Sequence, residues 1–208
     1  MNFTRNAREL QTGKKNNVTV IGLTGGIASG KTEATQALRK VGYTVIDADE
    51  VSRELFAFGT DGEQALLLAF PQACEKGKLN RAALRRIIST DCAARIRLNE
   101  ITHPAITAHI KRLISTKKPP VILSAPLLFE SALSSLCDVT VCVYAPRALR
   151  IKRLMSRDGI SAADAVNIID AQIPDTERCT MSDYIVPSDR DKAEFISEIT
   201  ELIQEILR

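Results

Sequence analysis

Residues 25–32, Gly-Gly-Ile-Ala-Ser-Gly-Lys-Thr, satisfy every fixed position of the pattern G-x-x-x-x-G-K-[ST]. A loop of this composition turns sharply enough for successive backbone N–H groups to converge on phosphate oxygens. Lys31 then reaches the β/γ-phosphates, and the hydroxyl of Thr32 is the expected Mg²⁺ ligand. The pattern arises by accident on the order of once in a hundred chains of this length, and its flanks lower that chance further. Residues 18–23 (Val-Thr-Val-Ile-Gly-Leu) form an apolar, β-branched run suited to a buried parallel strand. Residues 32–41 place Ala34, Ala37, Leu38 and Val41 on one helical face, with Gly42 as the stop. Strand, glycine loop and helix together predict a site for a nucleoside triphosphate with magnesium.

With 208 residues, 45% of them hydrophobic, the chain can bury the core of one α/β domain carrying a small inserted lobe. A net charge of +3 gives no argument for a nucleic-acid partner. No apolar run approaches the ~20 residues that span a bilayer, so no membrane partner is expected. Residues 1–17 are polar and basic (Arg5, Arg8, Lys14, Lys15) and lack the apolar stretch of a secretory signal. They read as a flexible leader or as a start set too far upstream. The five cysteines include no C-x-x-C pair and are odd in number. Reduced, mostly buried thiols in a cytoplasmic protein are expected, and no structural metal, since His103 and His109 do not share a helical face.

Further strands are expected at 43–46, 121–123, 139–144 and 184–186, and helices at 50–58, 146–157, 161–172 and 194–207. Residues 63–117 look almost wholly helical, with Leu66, Leu67, Phe70, Leu84, Ile87, Ile88, Ile96, Leu98 and Ile101 as core contacts. Such alternation implies a parallel sheet covered on both faces, with ligands at the carboxyl ends of its strands. That rule gathers the glycine loop, Asp47, Asp49 and the segment 126–130 (Pro-Leu-Leu-Phe-Glu) around one crevice.

A phosphate-binding loop names a ligand and leaves the reaction open among kinase, GTPase switch and assembly ATPase. The guanine-reading Asn-Lys-x-Asp segment of a GTPase is missing from the sequence, and the strand at 121–123 ends in Ser124-Ala125 without the carboxylate common in assembly ATPases. A kinase needs an acceptor base, a substrate lobe and arginines over the transferring group. Asp49, at the end of the strand beside the loop, is the candidate base; capping the next helix is its plainer alternative. Arg147, Arg150, Arg153 and Arg157 follow Pro146, the last three at i, i+3, i+7. They read either as a mobile lid that neutralises the phosphoryl oxygens or as a solvated basic face.

The segments Leu-Thr-Gly-Gly-Ile-x-Ser-Gly-Lys (23–31), Asp-Ala-Asp (47–49), His-Pro-x-Ile (103–106), Pro-Leu-Leu-Phe-Glu (126–130), Lys-Arg-Leu-Met-x-Arg-Asp (152–158) and Ala-Gln (171–172), in this order, resemble the dephospho-coenzyme A kinase family. The resemblance runs from residue 18 to the last helix. It implies a P-loop kinase fold: a parallel sheet flanked by helices (18–58 and 119–208), a helical substrate lobe (59–118) and a helical lid (146–180). The implied reaction moves the γ-phosphoryl group of ATP, with Mg²⁺, to the ribose 3′-hydroxyl of dephospho-CoA. Gly25, Gly26, Ala28, Ser29, Gly30, Lys31, Thr32 and Glu33 would wrap the ATP phosphates, where the helix dipole favours anions. Arg157 would join them, and Thr32 would take the metal. Asp49, Lys31 and Arg153 carry the implied chemistry, and Asp49, Arg81 and His103 the contacts to dephospho-CoA. For His103 the alternative is a His-Pro step that starts a helix. Another small-molecule or nucleotide kinase of the same fold, or a non-catalytic nucleotide switch, is the alternative function.

The chain departs from the family pattern at several positions. Ala28 replaces a frequent glycine, which is tolerable with a negative φ. Ser124 stands where many members have Asp, so magnesium would rest on Thr32, phosphate oxygens and water. Pro187-Ser188 replaces an Asn after the last strand, which bears on selectivity for the ATP base, and Phe70-Pro71 replaces Phe-Gly.

Overall fold

The computed structural model describes residues 4–5 and 18–208. The leader expected at 1–17 therefore lies, apart from Thr4–Arg5, outside the described residues. By its contacts the chain divides into two compact units, one of the chain up to Ile46 together with Lys117–Arg208, the other Asp47–Thr116.

The first unit is built on a six-stranded sheet. Its strands are β1 (Thr4–Arg5), β2 (Val20–Thr24), β3 (Thr44–Asp47), β6 (Val121–Ser124), β7 (Val139–Tyr144) and β8 (Tyr184–Pro187), in the order β1-β8-β7-β2-β6-β3. β2 pairs in parallel with both β6 and β7, and β7 with β8; β1 pairs antiparallel with β8. Two carboxylates fix the register where strands begin. Asp138 Oδ2 accepts from the backbone N–H groups of Thr19 (2.8 Å) and Val20 (2.9 Å). Asp183 Oδ2 accepts from Thr140 N and Oγ1, both at 2.7 Å. Charge-assisted bonds of this kind are among the stronger ones available to an acceptor, and they align the far, carboxyl ends of the strands.

Ile21, Leu23, Ile122, Val141, Val143 and Val186 of the sheet form one core with Leu38 and with Phe195, Ile199, Leu202 and Ile203. The last four belong to α9 (Lys192–Ile206), and Leu38 to α1 (Lys31–Val41). Complete burial of a Leu or Ile side chain stabilises by about 1.5–3 kcal/mol, so this cluster carries the unit. Ala34, Ala37 and Leu38 are buried as the periodicity predicts, but Val41 is 53% exposed. The helix ends there, and Gly42 turns the chain away at φ 104°. The unit is completed by α6 (Arg147–Asp158), α7 (Ala162–Asp170) and α8 (Asp175–Met181). Leu154, Ala165 and Ile169 of α6 and α7 pack with Ile27 and Ala28 of the glycine loop. α8 was not anticipated, because seven residues show too little periodicity to read.

The second unit holds α2 (Ala48–Leu55), α3 (Asp61–Ala69), α4 (Arg81–Thr90) and α5 (Cys92–Thr116). Between α3 and α4 the stretch expected to be almost wholly helical is interrupted by a hairpin, β4 (Cys74–Glu75) with β5 (Lys78–Leu79). Lys76 and Gly77 both take positive φ (51° and 77°), the turn that matches strand twist. The core consists of Phe56, Leu66, Phe70, Ala73, Leu84 and Ala94, flanked by Leu98 and Ile101. Ile96, expected among them, is 54% exposed. Glu63 ties the unit's loops to its helices, accepting from Gly59 N (2.7 Å) and Leu79 N (3.1 Å). These two bonds hold its carboxyl below the usual range.

The cysteines correct another expectation. Cys74 and Cys92 are exposed, Cys137 and Cys179 half-buried, and Cys142 alone of the five is buried. Cys142 lies inside β7 and shares a thiol hydrogen bond with Cys179, which together with burial pushes its thiol well up and draws Cys179 down.

Candidate active site

The loop leaves the carboxyl end of β2 and enters α1 through Gly30, which sits at φ 103° with no side-chain cap on the helix. A side chain at Gly30 would be strained, and a Cβ would lie 3.1 Å from Ser188 Oγ. At Gly26 a Cβ would come within 2.5 Å of the Arg150 guanidinium. The glycines are thus required by what packs behind the loop. The first turn of α1 carries Lys31, Thr32 and Glu33, where N–H groups and dipole favour an anion.

Lys31 Nζ donates to Ser124 Oγ at 2.8 Å, at the carboxyl end of β6. Thr35 Oγ1 lies 3.2 Å from the same oxygen. The Ser124 hydroxyl thus takes part in holding the ammonium group at the carboxyl end of β6. Ser29 Oγ is buried without a hydrogen-bond partner among the described residues. Such an orphan suits a loop made for a polar ligand. Thr32 and Glu33 are exposed.

Behind the loop, three consecutive carbonyls are bonded. Arg150 Nε donates to Ile27 O at 2.8 Å, Arg153 Nη1 to Ala28 O at 3.2 Å, and Ser188 Oγ to Ser29 O. The Ile27 N–H donates to Gln172 Oε1 at 2.8 Å. Arg153 also reaches Ser188 O at 2.6 Å and Ser188 Oγ at 3.1 Å. Arg150 is 1% exposed and forms an ion pair with Asp175, which also takes Arg178 at 3.0 Å. Burial lowers the Arg150 pKa and Asp175 opposes the shift, but a guanidinium stays charged. Arg150 is therefore neither a mobile lid arginine nor part of a solvated face. Arg147 and Arg157, both exposed, pair with Asp170 and Asp158.

One expectation about the loop is overturned. Ala28 has φ 60°, in the left-handed region, where a negative angle had been the condition for tolerating alanine. Sequence reading gave Gln172 no role beyond its place in the Ala-Gln segment, tied Ser188 only to selectivity for the ATP base, and offered nothing for Asp175. Position in the Ala-Gln segment was the one available signal for Gln172; Asp175 had none.

The remaining candidates belong to the second unit. Asp47 caps α2, its side chain accepting from Asp49 N (2.9 Å) and Glu50 N (3.2 Å). Asp49 lies in the exposed first turn of that helix, so the capping alternative belongs to Asp47. Arg81 Nη2 donates to Phe56 O at 2.6 Å. His103 is half-buried in the middle of α5, and Pro104 lies inside the same helix. The His-Pro step therefore does not start a helix. Burial lowers the His103 pKa, so its ring is neutral at pH 7, with one donor and one acceptor nitrogen.

Among the described residues no three His, Cys, Asp or Glu side chains cluster to hold a metal, and no helix is long and apolar enough to cross a membrane. Mg²⁺ needs no such cage, since it keeps several waters and binds through one or two protein groups plus substrate phosphates. The exposed Thr32 hydroxyl beside Lys31 fits a cation delivered with a nucleotide.

A sheet of this order, entered through this loop, defines the P-loop kinase fold. Comparison with known proteins takes the class further. The chain belongs to the dephospho-CoA kinase family, whose model (CoaE) matches residues 19–194. It is 38% identical over 196 residues to the dephospho-CoA kinase of Moorella thermoacetica, covering 91% of this chain and 92% of that one. Among solved structures, TT1252 from Thermus thermophilus superposes with a TM-score of 0.83 at 27% identity, covering 93% of this chain and all of that one. Dephospho-CoA kinase from Campylobacter jejuni gives 0.66 at 28% identity, covering 90% and 96%.

Proposed function

We propose that this enzyme transfers the γ-phosphoryl group of ATP to the ribose 3′-hydroxyl of dephospho-CoA, the last step of coenzyme A synthesis. The observation that supports it most is a family match running through both units, substrate-lobe candidates and phosphate loop alike. In this reading the N–H groups of residues 25–33 take the ATP phosphates, and Lys31 moves from Ser124 to the β/γ-oxygens. Arg153, anchored on Ala28 and Ser188, lies against the loop and can offer charge to the transferring group. Thr32, together with the ATP phosphates, would hold Mg²⁺, which would supply charge neutralisation at the transferring group.

Asp49 accepts or orients the proton of the attacking hydroxyl. Its place in the exposed first turn of α2, with the cap supplied by Asp47, supports that role. Arg81 and His103 contact dephospho-CoA, His103 as a neutral hydrogen-bonding ring. Free cysteines and the use of ATP support a cytoplasmic location.

The test is ADP release from Mg-ATP with dephospho-CoA, AMP, CMP, shikimate or no acceptor. Release above the no-acceptor rate with dephospho-CoA alone is expected. Equal release with AMP or CMP would leave the phosphate loop standing and remove the substrate assignment.

A further inference from the structure

We infer that Gln172, with Arg150, is a positioning residue for the phosphate loop: the two close a polar ring on the Ile27 peptide and so set the loop's affinity for ATP. The inference rests on the reading of residues 25–32 as the ATP phosphate loop.

The ring is complete on both sides of one residue. The Ile27 N–H donates to Gln172 Oε1 (2.8 Å), and the Ile27 carbonyl accepts from Arg150 Nε (2.8 Å). Arg150 Nη2 lies 3.5 Å from the same Gln172 oxygen, which links the two clamps. Arg150 cannot swing away, because it is buried and paired with Asp175, itself bonded to the fully buried Arg178. An ion pair of this kind is hard to break from one side, since removing a partner leaves an uncompensated charge.

The next residue explains why such a clamp is needed. Ala28 holds φ 60° without being glycine, a conformation that persists only where the surroundings over-determine it. With Ile27 held at both polar groups and the carbonyls of Ala28 and Ser29 bonded behind the loop, the turn has no low-energy route back to negative φ. Those carbonyl bonds fix the peptide planes, and with them the N–H groups of the loop. Gln172 lies between α7 and α8 and shares no helix with the loop. It acts on ATP through Ile27 and touches no reacting atom.

The experiment compares the parent with Gln172→Met, which keeps the chain length and removes the acceptor, and with Gln172→Asn, which stays polar but falls short. Mg-ATP affinity is measured by calorimetry, with kcat, both KM values, melting temperature and amide exchange at Ile27. In both variants, Kd and KM for ATP should rise about tenfold, with kcat and the KM for dephospho-CoA within about twofold of the parent. Ile27 exchange should accelerate. Parent-like Mg-ATP affinity with a lowered melting temperature would overturn the inference, leaving Gln172 a role in the fold alone. A fall in kcat without change in ATP affinity would overturn it as well. Failure of the underlying reading is visible separately: the parent would not bind Mg-ATP, or Lys31→Ala would bind it equally well.

Discussion

Ala28 holds a left-handed φ of 60° although it is not glycine. A left-handed alanine costs more than glycine there, and glycine's usual entropic penalty is the smaller effect. Ala28→Gly should therefore stabilise the protein by roughly 1 kcal/mol, where Ala→Gly substitution ordinarily does the reverse. Chemical denaturation of the two proteins checks the sign. Asp49 permits an equally clean test, because the structure assigns the α2 cap to Asp47. Asp49→Asn should lower turnover by roughly 10²–10⁴ with melting temperature and Mg-ATP affinity near the parent's. A matching loss of Mg-ATP binding would move Asp49 from the acceptor to the metal. Two carboxylates two residues apart are both sound caps by composition. Backbone conformation decides between them, and that is not visible in a list of residues.

Among the elements, the Glu63 clamp has a pH signature of definite sign. Its carboxyl is held below the usual range by the Gly59 and Leu79 N–H groups. The stability it contributes is therefore present in full above the ordinary carboxylate pKa and is lost as pH falls through the lowered folded-state value. Glu63→Gln should be less stable than the parent at neutral pH, and the gap should close on acidification below the ordinary carboxylate range. Denaturation profiles across that range, followed by a probe in the second unit, read this directly. A gap independent of pH would mean that the carboxylate is not the stabilising form. Apart from β1, which falls in the segment read as a leader, the sheet strands were legible because each is a short apolar, β-branched run bounded by breaks. The hairpin was not, because two-residue strands show no alternation and Lys76-Gly77 is a weaker turn signal than Asn-Gly. The helix start that the His-Pro step offered as an alternative is removed, since α5 accommodates Pro104 in mid-helix.

Over the whole molecule, what could be read divides by sequence distance. The phosphate loop was plain because its geometry demands fixed residue types within eight positions. Its brace was hidden because Ile27 and Gln172 are 145 residues apart, and only the fold brings them together. Arg150 shows the same limit: helical spacing put it on a face with Arg153 and Arg157, but the packing of α6 on the loop buried it.

The central claim, phosphorylation of the 3′-hydroxyl, is tested most directly by the product itself. Dephospho-CoA and Mg-ATP are incubated with the enzyme, and the nucleotide product is followed by ³¹P NMR with correlation to the ribose protons. One new phosphomonoester signal is expected, coupled to the ribose H3′ and growing in step with ADP. A monoester coupled to H2′, or ADP with free phosphate and no new ester, would contradict it.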